Sequence, residues 1–142
     1  MLRMTRVLVV DDDTFICEVV RDVLEDEGYI VQVAANGAAA LNCMSEQWPD
    51  VVLVDLRMPV MDGWTFLHVC RQDPRASQMC IVLMSAVQDE LPELEPGAAH
   101  LPKPFDLVNL SCTVERVLAA RSHVISEDQA ANTGEGLIGT LA

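Results

Sequence analysis

Apolar residues follow two alternating rhythms along this chain. Five short runs are continuous and mostly β-branched: Arg6 to Val10, Ile30 to Ala34, Val51 to Val54, Cys80 to Met84 and, more weakly, Ala98 to Leu101. Between them, apolar positions recur every three or four residues. Ile16, Val19, Val20, Val23 and Leu24 form one helical stripe, and Gly28 is placed to stop it. Asn36 can cap a second helix carrying Ala40, Leu41 and Met44, which ends before Trp48-Pro49. A third, from Gly63 to Arg71, carries Trp64, Phe66, Leu67 and Cys70 and ends before Pro74. Asp106 can cap the last helix, whose buried stripe is Leu107, Leu110, Val114, Val117 and Leu118.

Strands that alternate with helices imply right-handed crossovers and a parallel sheet covered on both faces. Continuous rather than alternating apolar runs are what burial on both faces requires. The expected fold class is an α/β sandwich. Ala86 to Gly97 breaks the rhythm, because Pro92 and Pro96 stand too close together for a long regular helix. Beyond Arg121 the period fades. Residues 122–142, with three glycines and small polar side chains, read as a flexible tail in which Leu137 to Leu141 offers a short docking segment as the alternative.

Length and charge narrow the function classes. A chain of 142 residues suits one domain, placed here at 1–121, with the tail too short for an output domain. Its hydrophobic fraction of 51% and mean hydropathy of +0.25 suffice for a core of ordinary size. Nine basic against 22 acidic residues give a net charge of −13, which a nucleic-acid backbone would repel. No apolar run approaches the ~18 residues of a membrane span, and the start is too short and too acidic for a signal peptide. Five cysteines without a CxxC pair fit idle thiols in a reducing cytoplasm.

The polar residues that remain are concentrated at strand ends. Asp11, Asp12 and Asp13 follow Val10, Asp55 follows Val54, Ser85 follows Met84, and Lys103 comes shortly after Leu101. All lie on the C-terminal edge of the expected sheet, where open α/β folds place ligands. Lys103 is the only lysine; the other eight basic residues are arginines. A single compact ammonium among arginines suggests a position that needs a point charge. Asp11, Asp12 and Asp55 would repel one another unless a divalent cation lay between them. Mg²⁺ suits best, as a hard ion held by a few carboxylates, waters and phosphate oxygens. Asp12 and Asp55 can each lend a carboxylate, with a backbone carbonyl near Arg57 as a third ligand. Asp13 or Thr14 caps the first helix, a task that leaves Asp55 unexplained. With the ion in place, Asp55 can attack a phosphoryl group and form an acyl phosphate. Mg²⁺, Lys103 and Ser85 would then share the three equatorial oxygens.

Four stretches resemble the receiver domain of two-component response regulators: Val-Leu-Val-Val-Asp-Asp-Asp, Val-Asp-Leu-Arg-Met-Pro-Val-Met-Asp-Gly at 54 to 63, Met-Ser-Ala at 84 to 86, and Lys-Pro-Phe at 103 to 105. The resemblance covers about Thr5 to Arg121. It implies a CheY-like (βα)5 flavodoxin-like fold with a five-stranded parallel sheet in the order 2-1-3-4-5. It further implies Asp55 as phosphoacceptor, Asp12 as direct Mg²⁺ ligand, Asp11 acting through a water, and the Arg57 carbonyl completing the shell. Ser85 becomes the switch hydroxyl, Lys103 the phosphate-contacting lysine, and His100 stands at the aromatic switch position. The donor would be a sensor histidine kinase or a phosphotransfer protein. The chain would act in the cytoplasm as a stand-alone receiver on a downstream protein effector, not on nucleic acid or within a membrane, and homodimer formation is open to it. It would be no enzyme beyond its own phosphorylation and dephosphorylation. Ser85 to Lys103 is shorter than in most receivers by about one helical turn, which shortens the expected fourth helix.

Two rivals stand beside this reading. A degenerate receiver would bind partners regardless of phosphorylation. A haloacid-dehalogenase-type phosphohydrolase would use Asp11 as nucleophile and Asp13 as general acid, but leaves Asp55 and its loop without a role.

Overall fold

The computed structural model describes residues 4–86 and 98–132, with side chains as far as residue 121. Its elements run β1 (Arg6–Val10), α1 (Thr14–Asp26), β2 (Ile30–Ala34), α2 (Gly37–Glu46), β3 (Val51–Asp55), α3 (Gly63–Cys70), a 3₁₀ turn (Pro74–Gln78), β4 (Cys80–Ala86), β5 (Ala98–Lys103) and α4 (Leu107–Asn132). All strand pairs are parallel, in the order β2-β1-β3-β4-β5. This is the doubly wound order expected, with the crevice between β1 and β3 at the point where the order reverses.

Alternation along each strand divides the core in two. Val7, Val9, Val51, Leu53, Val82 and Met84 pack with α1 and α4, whereas Leu8, Val10, Val52, Val54 and Leu83 pack with α2 and α3. Every residue of β3 is buried, so the central strand has no solvent-exposed face. The helix ends are built as the sequence predicts. Asp13 caps α1 by accepting from the N–H groups of Phe15 and Ile16, and Asn36 caps α2 through Ala39. Asp106 accepts from the Asn109 amide at 2.7 Å at the start of α4. Gly28 takes a φ of +100° after α1, while Gly28 and Tyr29 donate to the carbonyls of Glu25 and Leu24. This is the closing turn for which glycine is favoured.

Several boundaries differ from the sequence reading. Asp55, Ser85 and Lys103 belong to the strands themselves, because pairing continues through Asp55↔Met84, Ser85↔Pro102 and Ala86↔Lys103. Pro74 opens a 3₁₀ turn, capped by Asp73. Leu107 is 47% exposed at the first turn of α4, so the buried stripe starts at Leu110. The flexible tail expected from residue 122 is corrected as far as Asn132, where α4 ends. Residues 122–132 hold no glycine or proline, and Glu127, Gln129, Ala130 and Ala131 propagate a helix without needing an apolar stripe. Residues 133–142 and the expected short fourth helix at 87–97 lie outside the described residues. Among the described residues no helix is long and apolar enough to cross a membrane.

Candidate phosphoryl-accepting site

Three carboxylates meet at the C-terminal edge of the sheet. One oxygen from each of Asp11, Asp12 and Asp55 lies within 4.8 Å of the others. β1 delivers the first two and β3 the third, which is why strands adjacent at the reversal point suffice to build the cluster. Asp11 and Asp55 are buried and Asp12 is exposed. Lys103 reaches across from β5, donating to Asp11 Oδ2 at 2.6 Å and to Asp55 Oδ2 at 3.1 Å. The chain's only lysine therefore bridges two acids that are far apart in sequence. Its peptide bond to Pro104 is cis.

Electrostatics here is a balance of burial against pairing. Burial pushes the Asp11 carboxyl above the ordinary carboxylate value, more than the hydrogen bonds from Lys103 and the Asp13 amide bring it down. Burial works against the Lys103 ammonium too, but Asp11 and Asp55 together hold its pKa above that of a free lysine. The ammonium thus stays charged while one of its partners bears a cost for ionising. A cluster of hard oxygen donors with an unrelieved acidic excess fits a hard divalent cation.

Backbone contacts lock the acids in place. Asp11 Oδ1 accepts from the Asp13 amide at 2.9 Å, and Asp55 Oδ1 accepts from the Arg57 amide at 3.1 Å. Arg57 thus touches the site through its N–H. Asp13 itself is engaged in capping α1. Its carboxylate already accepts two amides there, which counts against the general-acid role that the phosphohydrolase reading gave it.

Ser85 and His100 form a pair of their own. Ser85 Oγ and His100 Nε2 are 2.8 Å apart on the α3 side of β4 and β5. Ser85 is buried and His100 half-buried. The two residues that the sequence reading named on β4 and β5 are joined to each other.

The sequence reading assigned no role to Gly63, which the structure makes a wedge point. A Cβ there would stand 2.5 Å from the Asp55 carbonyl oxygen and 2.8 Å from Leu56 Cα. Only glycine lets α3 start so close behind β3, and the Asp-Gly pair at the helix start was the available signal. The loop before it turns tightly, with Met61 donating to the Pro59 carbonyl at 2.7 Å and Val60 at a φ of +69°. Gly63→Ala should cost about 1–3 kcal/mol by overpacking against the Asp55 and Leu56 backbone, at least as much as the roughly 1 kcal/mol expected for Gly28→Ala through its positive φ. Urea unfolding of both variants checks this.

Comparison with known proteins decides the family. The family model described as the response regulator receiver domain matches residues 7–115. This chain belongs to the response regulator receiver family. Among its curated relatives, the response regulator MprA of Mycobacterium ulcerans is 35% identical over 133 residues, covering 90% of this chain and 55% of the relative. The DNA-binding dual master transcriptional regulator RpaA of Synechocystis is 33% identical over 119 residues, covering 81% of this chain and 49% of the relative. The receiver thus spans about half the length of these relatives. Among solved structures, the chemotaxis response regulator CheY4 of Vibrio cholerae superposes with a TM-score of 0.71 at 33% identity, over 81% of this chain and 99% of that one. A putative response regulator from Chloroflexus aurantiacus gives a TM-score of 0.74 at 33% identity, over 82% and 99%. The receiver is a signalling domain of two-component systems with an acidic pocket at its sheet edge.

Proposed function

We propose that this receiver accepts a phosphoryl group on Asp55 from a phosphohistidine of a sensor kinase or phosphotransfer protein, and signals by changing its contacts with a downstream protein. The observation that carries the reading is the Lys103 bridge between Asp11 and Asp55, with the Asp12 carboxylate beside it. In the transfer, an Asp55 oxygen forms the new bond to phosphorus. The donor's P–N bond breaks, and its electron pair returns to the imidazole. Lys103 meets one phosphoryl oxygen and Ser85 another, so charge spreads onto groups already in position. Asp12 and Asp55, the Arg57 carbonyl, and Asp11 through a water would hold Mg²⁺. When bound, the ion would supply positive charge that offsets the negative charge of the carboxylates and the incoming phosphoryl group. Modification adds roughly −1.5 to −2 charge beside Ser85 and the end of β4, and the neighbouring surface responds.

Cytoplasmic placement is part of the same reading, supported by the five cysteines, all of them free thiols. Incubation with Mg²⁺ and acetyl phosphate tests the proposal. Intact-mass analysis should show the gain of one phosphoryl group, abolished by chelating the metal. Failure to label under these conditions would instead favour the phosphorylation-independent binding module.

A further inference from the structure

We infer that Gly37, in the first turn of α2, is a positioning residue for the phosphoryl-accepting site. Its bare Cα seats Met61 and so holds the β3–α3 loop, whose Arg57 backbone lies on the Asp55 carboxylate. The inference rests on the reading of Asp55 as acceptor with the Arg57 carbonyl at the ion. It adds a helix to which that reading gave no part.

Local chemistry gives no reason for glycine here. Gly37 is buried and its φ is not positive, so no turn geometry calls for it. Glycine in a helix loses more chain entropy than alanine, so propensity favours alanine at this place. The reason lies in the neighbouring loop. A Cβ on Gly37 would stand 2.8 Å from both Cγ and Sδ of Met61 and 3.1 Å from its Cβ. Cβ and Cγ belong to the stem of the side chain, so swinging the sulfur away does not relieve the conflict. The backbones are tied as well. Gly37 N–H, an orphan donor of the helix start, gives its hydrogen to the Met61 carbonyl at 3.3 Å.

From Met61 the path to the acceptor is short. Asp55 Oδ1 accepts from the Arg57 amide at 3.1 Å, inside the same loop. The loop is clasped at its base, where Gly63 donates to the Leu56 carbonyl at 3.1 Å. Its tip turns through Val60, which is 83% exposed at a φ of +69°. A β-branched residue holds such a φ only where its surroundings fix it. Met61 on Gly37 is such a fixture. Displacing Met61 lets the turn relax towards ordinary angles, and the change runs back through Pro59 and Met58 to Arg57. The Arg57 N–H then loses its aim at Asp55, and the Arg57 carbonyl its aim at the ion.

The test uses the whole chain with two readouts: calorimetric titration with Mg²⁺ alone, and amide hydrogen exchange of the ligand-free protein by NMR. Gly37→Ala should weaken Mg²⁺ binding roughly tenfold, the lower end for a lost support behind a metal ligand. Its Arg57 amide should exchange faster than in wild type. The double variant Gly37→Ala/Met61→Ala should bind Mg²⁺ more tightly than Gly37→Ala, because the two closest atoms in conflict are gone. Gly28→Ala, altered at the opposite end of α1, should bind Mg²⁺ as wild type does and so shows what lost stability alone can do. Wild-type Mg²⁺ affinity or wild-type Arg57 exchange in Gly37→Ala, additive losses in the double variant, or an equal loss in Gly28→Ala would each overturn the inference. Should Gly37→Ala fail to fold, Met61→Ala decides, since it only removes atoms: it should speed Arg57 exchange, and unchanged exchange overturns the inference. Should wild type bind no Mg²⁺ at all, the metal reading fails, while Arg57 exchange in the variants still decides whether Gly37 holds the loop.

Discussion

Asp55→Asn should abolish phosphorylation by acetyl phosphate completely while leaving the fold intact. An amide oxygen does not form the acyl phosphate, and Asp11, the other buried acid of the cluster, follows β1 beside β3 with its Oδ2 at 2.6 Å from Lys103. The fold should survive for reasons visible in the contacts. Asn can keep its oxygen on the Arg57 amide or on Lys103, and Asp11 still pairs with the ammonium. Removing the Asp55 charge also relieves a repulsion that raises the Asp11 pKa. Mass spectrometry after labelling, beside a urea melt, separates lost chemistry from lost structure. Continued labelling of the variant at Asp11 would point to phosphohydrolase-like chemistry and remove Asp55 from the centre of the mechanism.

The second large effect concerns stability. Lys103→Met should destabilise the protein by about 2–3 kcal/mol at neutral pH, because it leaves Asp11 and Asp55 without their counter-charge in a mostly buried crevice. The lysine side chain is 22% exposed, which places the expected loss below that of a fully buried pair. Linkage gives the pH dependence a definite sign. The Lys103 pKa is raised, so its contribution is full below the ordinary lysine value and fades only as pH climbs through the still higher folded value. The Asp11 pKa is also raised, so its contribution is full at acid pH and is lost as the carboxyl ionises. The gap between wild type and Lys103→Met should therefore narrow as pH falls through the raised Asp11 value, where a neutral acid needs no partner. Mg²⁺ should narrow it at neutral pH as well, by supplying the missing charge. A gap constant across pH would show that the lysine contributes packing alone.

Much of this was legible before any coordinate. Apolar runs without alternation require strands covered on both faces, and helical stripes between them require crossovers. Asp13, Asn36 and Asp106 could be named as caps because capping is local chemistry of three or four residues. The acidic residues at 11, 12 and 55 and the single lysine could be placed on one edge because a parallel sheet delivers every strand end to the same side.

Contacts across the sheet were beyond such reasoning. Two amides or an ammonium can satisfy Asp11 equally well on paper, and only packing decided that Lys103 lies against both Asp11 and Asp55. The same holds for Gly63, whose need for a bare Cα arises from how closely α3 approaches the carbonyl of Asp55. Pairing of Ser85 with His100 depends on the β4–β5 register, and β5 was the weakest strand in the sequence. At the far end of the sheet, Arg121 reaches back to Asp50 at 3.2 Å, a bond across 71 residues that no local pattern announces. The helical reach of residues 122–132 failed to show for the opposite reason: their helix lacks the apolar period that makes such elements visible. Sequence alone determined the strands, the caps and the chemical kinds gathered at one edge, because these follow from neighbours a few residues apart. Tertiary structure decided which acid shares the lysine, which glycine must stay bare and which hydroxyl meets the imidazole, because distances between separate strands are fixed only when the sheet closes.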